Sequence, residues 1–386
     1  MANFYYFFNF CLEEQSISRL KILFTIPNFD TAGSGKALFN IAKNLDINLF
    51  EPHICCSHNR GEFFQIVKST GIPVHIHNST HEMIPRLRGL SKCFQLANYF
   101  KNIGIDLVHS FHYGSDYSEA LSAKFAGIPW IYTKKNMNWG GSSKNSWRLR
   151  TIFASHILAQ NTDMLRSFFP KSKKVTLVPR GVDIVEFQPR KVNFDLLNKF
   201  KIAKNEKVIL CVANLHPVKG INVLFDAFHK LPNKLNDLHL LIVGDKENEM
   251  GIRLEKMVQK SIKSDKIHIS GKVSNVNDYY SIADLFVLPT LDQGRREGCP
   301  VALLEAIASG LFVFGSNIAG IKDVLRPFPS NLFQAGNSDE LAKKISDYFV
   351  NKYPNINDDL LKHVRDSYSI KVEAKNHEDI YKNLLV

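Results

Sequence analysis

Short apolar runs alternate with amphipathic helical stretches along most of the chain. The run KILFTIP at 21–27 predicts a strand, and apolar positions at helical spacing within 36–45 predict the helix that follows. Strands separated by helices form a mostly parallel sheet, so the first half of the chain is predicted to be a doubly wound α/β unit. Further strands of this unit are predicted at 53–57, 72–77, 106–111, 129–134, 156–160 and 174–179.

A second unit follows the stretch 180–189, whose Gly, Asp and Pro residues predict a connection between domains. We therefore expect two Rossmann-like, doubly wound parallel-sheet domains facing each other across a cleft, over residues 20–185 and 186–371, with an amphipathic helix at 372–386. Ligands of such sheets bind at the carboxyl ends of the strands, so a ligand in the cleft would contact both domains. Strands of the second unit are predicted at 207–214, 238–244, 266–271, 285–290 and 311–316.

Residues 1–19 differ in composition from the sequence that follows. The stretch 4–10 is strongly aromatic and no positively charged region precedes it, so a secretory signal is not predicted. We interpret 1–19 as an N-terminal extension, with an aromatic anchor at a membrane interface as the alternative.

Composition excludes several classes of protein. With 45% apolar and 22% charged residues, the chain has globular composition, and no stretch predicts a membrane-spanning helix. The six cysteines show no CxxC spacing, so neither a disulfide scaffold nor a zinc cage is predicted, and a reducing cytoplasm fits best. The net charge is +12, and the first 190 residues hold 22 basic against 13 acidic residues. This excess predicts an anionic neighbour: a nucleic acid, a phosphorylated ligand or a membrane surface.

The segment EGCPVALLEAIASG at 297–310 gives the strongest local chemical signal. Pro300 suits the first turn of a helix, and Gly298 lets the backbone come close to a ligand. The free N–H groups of Val301 and Ala302 would then form an anion site, reinforced by the helix dipole.

Two glutamates flank this predicted anion site. Glu297 precedes the helix, and Glu305 lies about 12 Å further along it. Because a carboxylate can accept hydrogen bonds from both hydroxyls of a sugar diol, the pattern predicts a ligand with a central phosphate and hydroxyls at both ends.

This segment resembles the paired-glutamate signature of glycosyltransferase family four, the large retaining class with the two-Rossmann GT-B fold. The resemblance covers most of the chain, and it implies that the final helix packs back on the first domain. It extends to the first Gly-containing loop and helix at 26–45, the linker at 178–189, the phosphate-binding stretch at 212–228, and the strand–loop blocks at 240–245 and 269–290.

The resemblance implies a role for each matching residue of the donor site. Glu305 would hold the ribose hydroxyls of a nucleotide, and Glu297 the hydroxyls of the donor sugar. Lys219 would pair with the diphosphate, and a fixed cation there stabilises the charge that develops on the leaving nucleotide. Lys219 and Glu297 are therefore candidate catalytic residues.

The sequence departs from the family pattern at two positions near the phosphates. Asn214 stands where the family usually has an arginine, which removes one cation from the donor site. Arg180 stands where the family commonly has asparagine, and it is a candidate for contact with a phosphate or the acceptor. Arg295 and Arg296 could also compensate, although a solvated loop is the alternative interpretation.

Two further segments are candidates for nucleotide-sugar binding. The backbone of Lys272 and Val273 matches the base-contacting turn of the family, with an ordinary turn as the alternative. Gly33, Ser34 and Gly35 belong to a loop that fits neither a P-loop nor a dinucleotide fingerprint. The resemblance implies that the amides of this loop face the donor phosphate or the acceptor.

Histidine and aromatic residues supply the remaining candidates. The family often has a histidine near the reacting sugar; we assign this catalytic role to His112 and interpret His109 as a structural strand residue. The basic and aromatic segment 134–150, with Trp139 and Trp147, could line an acceptor groove or bind nucleic acid or headgroups. A basic patch facing a membrane and a solvated helix face are both open for Arg86, Arg88 and Lys92.

We therefore expect a retaining glycosyltransferase that moves a hexosyl unit from a nucleotide-diphosphate sugar to a hydroxyl of a saccharide or lipid-linked acceptor, in cell-surface polysaccharide or lipopolysaccharide assembly. No cofactor and no metal are expected. A cytoplasmic location is expected, with peripheral contact at the inner face of the membrane as an extension and no nucleic-acid partner. The alternatives are an inactive nucleotide-sugar-binding homologue and a basic nucleic-acid-binding protein.

Overall fold

The computed structural model describes residues 18–30, 32–135, 137, 144–293 and 298–385. They form two sheets of parallel strands, which confirms the predicted pair of Rossmann-like domains. Most of the extension 1–19, together with Trp139, Arg295, Arg296 and the candidate Glu297, lies outside the described residues.

The first domain contains a seven-stranded sheet with the strand order β3-β2-β1-β4-β5-β6-β7. Its strands are β1 (Leu20–Thr25), β2 (Phe50–Cys56), β3 (Val74–Ile76), β4 (Leu107–Ser110), β5 (Trp130–Lys134), β6 (His156–Ala159) and β7 (Val175–Leu177). Its helices are α1 (Ala32–Asn44), α2 (Glu62–Ser69), α3 (Arg86–Asn102), α4 (Ser118–Ala126), α5 (Lys144–Phe153) and α6 (Thr162–Phe168).

The second domain contains a six-stranded sheet with the order β10-β9-β8-β11-β12-β13. Its strands are β8 (Lys207–Val212), β9 (Leu238–Val243), β10 (Ile267–Ile269), β11 (Leu285–Leu288), β12 (Phe312–Ser316) and β13 (Leu332–Phe333). The helices after the first domain are α7 (Phe194–Lys199), α8 (Ile221–His229), α9 (Glu249–Gln259), α10 (Asn277–Ser281), α11 (Val301–Ala308), α12 (Ile321–Val324), α13 (Ser338–Phe349), α14 (Asn357–Tyr368) and α15 (Ile370–Leu385).

Both faces of the first sheet are buried, as the continuous apolar run of β1 requires. Ile22 and Phe24 pack in one apolar cluster, and Leu23, which points to the opposite face, packs in another. The second domain has its own core, which already includes Val182 and Phe187 of the linker.

The chain crosses between the domains a second time near its last helices. Val182 of the linker donates its amide to the carbonyl of Tyr368 at 2.7 Å, and it accepts from the amide of Ile370 at 2.9 Å. Helix α15 then packs on the first domain, where the Tyr381 hydroxyl lies 2.7 Å from Nδ1 of His109. The linker and the start of α15 therefore both connect the two domains at the same side of the cleft.

A glycine fixes the turn that follows β8. Gly220 has a φ of +66°, which a residue with a Cβ rarely adopts, and an added Cβ would collide with the carbonyl oxygen of Pro289. The amide of Leu291 also donates to the carbonyl of Val218 at 2.8 Å, so the turn is held against the end of β11. Lys219 therefore projects from a rigid turn.

We expect Gly220→Ala to lower the free energy of unfolding by about 3 kcal/mol, because strain from the left-handed backbone adds to the collision. Gly71→Ala is a matched control, since Gly71 also has a positive φ (+79°) but no atom within 4 Å of an added Cβ. It should cost about 1–2 kcal/mol. Denaturant unfolding measures both, and equal losses would contradict the role given to the Pro289 contact.

Candidate functional site

A cavity of about 800 Å³ lies between the two domains, at the carboxyl ends of their central strands. It brings together most of the predicted donor-site residues. From the first domain these are Gly33 and Ser34, and from the second they are Asn214, Lys219, Gly298, Val301, Ala302 and Glu305. The predicted Gly35, His112, Lys272 and Val273 do not line it.

Glu305 lies on α11, whose remaining side chains are largely buried in the second core. Burial raises the pKa of Glu305 to about 7, although the bond from Tyr280 and the nearby charge of Lys36 act in the opposite direction. The Tyr280 hydroxyl donates to Oε2 at 3.0 Å, so Oε1 is the oxygen left for a hydroxyl of a ligand.

The first turn of α11 presents free backbone amides to the cavity. Pro300 is the N-cap residue, and its carbonyl accepts from the amides of Leu303 and Leu304 at 3.1 and 3.3 Å. The amides of Val301 and Ala302 have no acceptor among the described residues, and they line the cavity. This end of the helix can bind an anion, as the sequence predicts.

The loop before α11 is held tightly against the first domain. The side chain of Asn161 donates to the carbonyl of Gly298 at 2.7 Å. A Cβ added at Gly298 would collide with the side-chain oxygen of Gln160 and the carbonyl of Lys135. Gly298 therefore permits close packing of the two domains, in addition to its place in the cavity wall.

Lys219 ends the 3₁₀ turn Pro217–Lys219 after β8 and lines the same cavity as Glu305. Asn214 lies in this cavity wall too, at the position where the resemblance calls for a second cation. Asparagine carries no charge, so the positive charge at this end of the cavity comes from Lys219 and from cations of other segments.

The first domain contributes the ammonium group of Lys135, which the sequence did not single out from the basic segment around it. Lys135 is buried, with its ammonium 3.4 Å from the centre of the Tyr113 ring and 3.4 Å from Oγ of Ser34. It also donates to the carbonyl of Phe111, and Ser34 is hydrogen-bonded to the Tyr113 hydroxyl. The basic composition of 134–150 was the available signal, but it did not distinguish Lys135 from its neighbours.

Arg180 reaches the cavity from the linker. Its Nη1 donates to the carbonyl of Gly33 at 3.3 Å, in the first turn of α1. Glu373 of α15 also lines the cavity, and its Oε2 accepts from the amide of Gly181 at 2.8 Å. Burial raises the pKa of Glu373 to about 7, against the lowering effect of the nearby Arg180. The linker and α15 thus place a cation and a carboxyl group together at the first-domain side.

The two histidines of β4 and its loop point away from the cavity. His109 is buried between the hydroxyls of Tyr381 and Thr133, at 2.7 and 2.8 Å, which confirms it as a structural residue. His112 lies 2.9 Å from Oγ of Ser79, and burial lowers its pKa to about 4. It therefore stays neutral at physiological pH and does not border the cavity, so the proposed contact with the reacting sugar has no geometric support.

Lys272 and Val273 belong to the turn after β10. Lys272 is ion-paired with Asp245 at 2.9 Å, and its side chain is largely exposed. Val273 packs on the edge of the second core. Their predicted backbone contact with a nucleobase stays a prediction.

Two sequence families match the chain and together span most of it. Residues 31–186 match the family described as "Glycosyltransferase Family 4", and residues 193–363 match "Glycosyl transferases group 1". Both matches belong to glycosyltransferase family 4, and the chain is a member of that family. It is a glycosyltransferase, as the family matches show, and its two sheets form two Rossmann-like domains.

Curated relatives share the family at low identity. The N,N'-diacetylbacillosaminyl-diphospho-undecaprenol alpha-1,3-N-acetylgalactosaminyltransferase of Campylobacter jejuni is 24% identical over 74% of this chain and 78% of its own length. The UDP-Gal:alpha-D-GlcNAc-diphosphoundecaprenol alpha-1,3-galactosyltransferase of Escherichia coli is 25% identical over 61% of this chain. That match spans 64% of the Escherichia coli enzyme, slightly less than two thirds of its length.

Solved structures confirm the GT-B fold. A glycosyltransferase from Rickettsia africae superposes with a TM-score of 0.83 at 21% identity, over 95% of this chain and 99% of that one. The Anabaena protein HepE in complex with UDP-glucose superposes with a TM-score of 0.76 at 17% identity, over 95% of this chain and all of that one (100%).

The raised pKa of Glu305 predicts pH-dependent donor binding. Below about pH 7 the side chain is protonated and loses acceptor capacity, so the dissociation constant of a nucleotide-diphosphate sugar should rise up to about tenfold per pH unit. The diphosphate of such a ligand keeps a constant charge in this range. Glu305→Gln should bind weakly and without this pH dependence, as calorimetry between pH 5.5 and 8 (about the range that brackets the pKa) would show.

Glu373→Gln is the matched control for this titration, because Glu373 lines the same cavity with a pKa also raised to about 7. The pH dependence should persist in this variant. If it disappears in Glu373→Gln and remains in Glu305→Gln, Glu305 is not the group that titrates.

Proposed function

We propose that this glycosyltransferase moves a hexosyl unit from a nucleotide-diphosphate sugar to a hydroxyl group of a saccharide or lipid-linked acceptor, with retention at the anomeric carbon. One observation carries the proposal. A single interdomain cavity combines a carboxyl group that can bind a ribose diol (Glu305), a lysine (Lys219) and two unbonded helix amides. A nucleotide diphosphate is the ligand class that uses all three together.

The charges in the cavity suit departure of a nucleoside diphosphate. When the bond between the anomeric carbon and the phosphate oxygen breaks, the electron pair passes to that oxygen. Lys219 and the amides of Val301 and Ala302 stabilise the developing charge, so donor activation without a metal ion is part of the proposal. The acceptor hydroxyl then attacks the face that the leaving group vacates, and its proton passes to the departing diphosphate.

The first-domain wall suits the acceptor. Ser34, Tyr113 and Lys135 face the donor groups across the cavity, and Arg180 adds a second cation beside them. Hydroxyl and ammonium groups can orient a sugar hydroxyl or bind a phosphate. The substrates in the names of both curated relatives are diphospho-undecaprenol-linked, which supports a lipid-linked acceptor here.

A lipid-linked acceptor places the enzyme at a membrane surface, and we extend the proposal to a cytoplasmic protein in peripheral contact with the inner face of the membrane. No helix in the described parts of the chain is long and apolar enough to cross a bilayer. Cell-surface polysaccharide or lipopolysaccharide assembly is the process that fits such an acceptor.

The proposal predicts that Lys219→Ala slows release of the nucleoside diphosphate by about 10²–10³-fold, because the leaving group loses its fixed cation. Lys343→Ala is the control, since Lys343 is 77% exposed and its ion pair with Asp347 is on the surface. The measurement is donor hydrolysis across a panel of uridine, guanosine, adenosine and cytidine diphosphate sugars.

Two results would count against transfer as the function. A wild-type chain that binds one donor series without releasing the diphosphate, with or without added acceptors, would be a binding homologue, consistent with Asn214. A Lys219→Ala variant that turns over as fast as Lys343→Ala would remove Lys219 from the mechanism.

A further inference from the structure

The outer surface of α3 exposes large apolar side chains that the fold does not bury. Ile84, in the loop before the helix, is 84% exposed, and Leu87 in its first turn is 86% exposed. Phe94 is 55% and Leu90 37% exposed. We call these four residues, with the basic residues of the helix, the α3 face.

The exposed apolar residues form one stripe along the helix. Leu87, Leu90 and Phe94 follow the i, i+3, i+7 spacing that places side chains on one side of a helix. A different side of the helix packs against the domain, where Gly89, Cys93, Leu96, Ala97 and Phe100 are buried. The ring of Phe94 stacks on Phe125 of α4 at 4.3 Å, which fixes its position at the surface. The α3 face is therefore a second apolar side on a helix that has already packed its first.

Positive charge surrounds this stripe. Helix α3 carries Arg86, Arg88, Lys92 and Lys101 and no acidic residue. None of these four side chains has an ion-pair partner among the described residues. Between Glu82 and Asp106 the sequence contains no carboxylate at all.

Glu82, four residues before Arg86, is exposed, but the next acidic residues in sequence are bonded inside the domain. Asp106 accepts from the amide of Lys21 at 2.7 Å. Glu119 is fully buried and accepts from the indole of Trp130 at 3.0 Å. The carboxyl group of Asp116 is bonded to the amide and hydroxyl of Ser118. With Glu82 as the one exposed carboxylate nearby in sequence against four basic side chains of α3, the α3 face keeps a net positive charge.

The exposed tip of the α3 face lies on the same edge of the sheet as the cavity. In a parallel sheet, the helix that follows a strand begins at the carboxyl edge, where ligands bind. The loop before α3 confirms this position, because Ser79 is bonded to His112 at the end of β4 and the amide of His81 donates to Ser118, the first residue of α4. Ile84 and Leu87 thus extend from the edge through which an acceptor enters.

We infer that the α3 face docks on a bilayer containing acidic phospholipids and holds the mouth of the cavity at the membrane surface. Apolar side chains insert below the headgroups, while arginine and lysine bind the anionic phosphates. The inference rests on the proposed function only in the identity of what then enters the cavity, a lipid-linked acceptor. Docking itself needs no catalysis.

Two other occupants fit less well. A second copy of the chain, paired through the same face, would bring arginines of one subunit against arginines of the other. A nucleic acid would use the basic residues, but it offers no environment in which exposed Ile84 and Leu87 leave water. A bilayer with acidic headgroups satisfies both the charges and the apolar stripe.

The test is flotation of the full chain with vesicles, either of phosphatidylcholine alone or of phosphatidylcholine with phosphatidylglycerol. At low salt the wild type should float with the acidic vesicles and not with the neutral ones. Leu87→Ser and the pair Arg86→Ser with Arg88→Ser should each reduce partitioning about tenfold, and about 0.5 M salt should abolish the charge-dependent part.

Ile47→Ser is the matched control, because Ile47 is 68% exposed and lies between Asp46 and Asn48 rather than among basic residues. It should float like the wild type. Equal flotation of Leu87→Ser and wild type would overturn the inference, as would equal binding to neutral vesicles. Tight binding of a DNA duplex, weakened by the arginine changes and not by Leu87→Ser, would assign the face to a polyanion instead.

Donor hydrolysis in solution separates this inference from the proposed function. Leu87→Ser should release nucleoside diphosphate at the wild-type rate, because the substitution lies outside the cavity. If neither the wild type nor Leu87→Ser hydrolyses any donor while the wild type still floats with acidic vesicles, the proposed transfer is rejected and the docking surface is retained. Normal hydrolysis with no flotation of the wild type would do the reverse.

Discussion

The geometry of the cavity depends on one hydrogen bond between the domains, from Asn161 to the carbonyl of Gly298. The Asn161 side chain is buried and has two roles, since its Oδ1 caps α6 by accepting from Met164 at 2.8 Å and its Nδ2 donates to Gly298 at 2.7 Å. Because α11 begins shortly after Gly298, this bond holds the free amides of the helix toward the first domain. A residue with a Cβ at position 298 could not approach so closely.

Neighbouring contacts reinforce the same junction. The amide and hydroxyl of Thr162 both donate to the carboxylate of Asp323, at 2.8 and 2.7 Å, and Lys322 pairs with Asp163 at 2.8 Å. These bonds join the start of α6 to α12, beside the point where the linker and α15 cross, since the hydroxyl of Tyr368 donates to the carbonyl of Asp323 at 3.2 Å. The two domains are thereby held together by several contacts along one side of the cleft, which keeps donor groups and acceptor groups within reach of one ligand pair.

Close approach also sets the electrostatics of the site. Enclosure between the domains removes water from Glu305 and Glu373, and this burial is the main cause of their raised pKa values. Cations from three segments (Lys135, Arg180 and Lys219) border the same space. A ligand with hydroxyl groups and negative charge could donate hydrogen bonds to the buried carboxyl groups. Its negative charge would also pair with the cations that border the cavity.

Sequence reasoning succeeded where a local pattern encodes the structure. Glu305 and the amides of α11 follow from a helix that begins after Gly and Pro, and both sheets follow from strand–helix alternation. Residues brought to the cavity by tertiary packing were not predicted: Tyr113 arrives from the loop after β4, and Glu373 from α15 near the opposite end of the sequence. No spacing rule connects such distant positions.

The remaining differences have local physical causes. The peptide after Phe111 turns His112 toward Ser79, so a residue at the correct end of the strand faces the domain interior. Helix α14 was not predicted because its sequence is mostly polar, and only Leu360 and Val364 are fully buried. Helix α6 is only 7 residues long, although its Asn161 cap was a usable signal.

The most direct test of the account is a crystal structure of the chain with an intact nucleotide-diphosphate sugar. We expect one ligand bound by both domains, with ribose hydroxyls about 2.6–3.2 Å from Glu305 and the diphosphate at similar distances from Lys219 and the first amides of α11. A ligand bound outside the cavity, or bound within it with the diphosphate turned away from Lys219, would contradict the account.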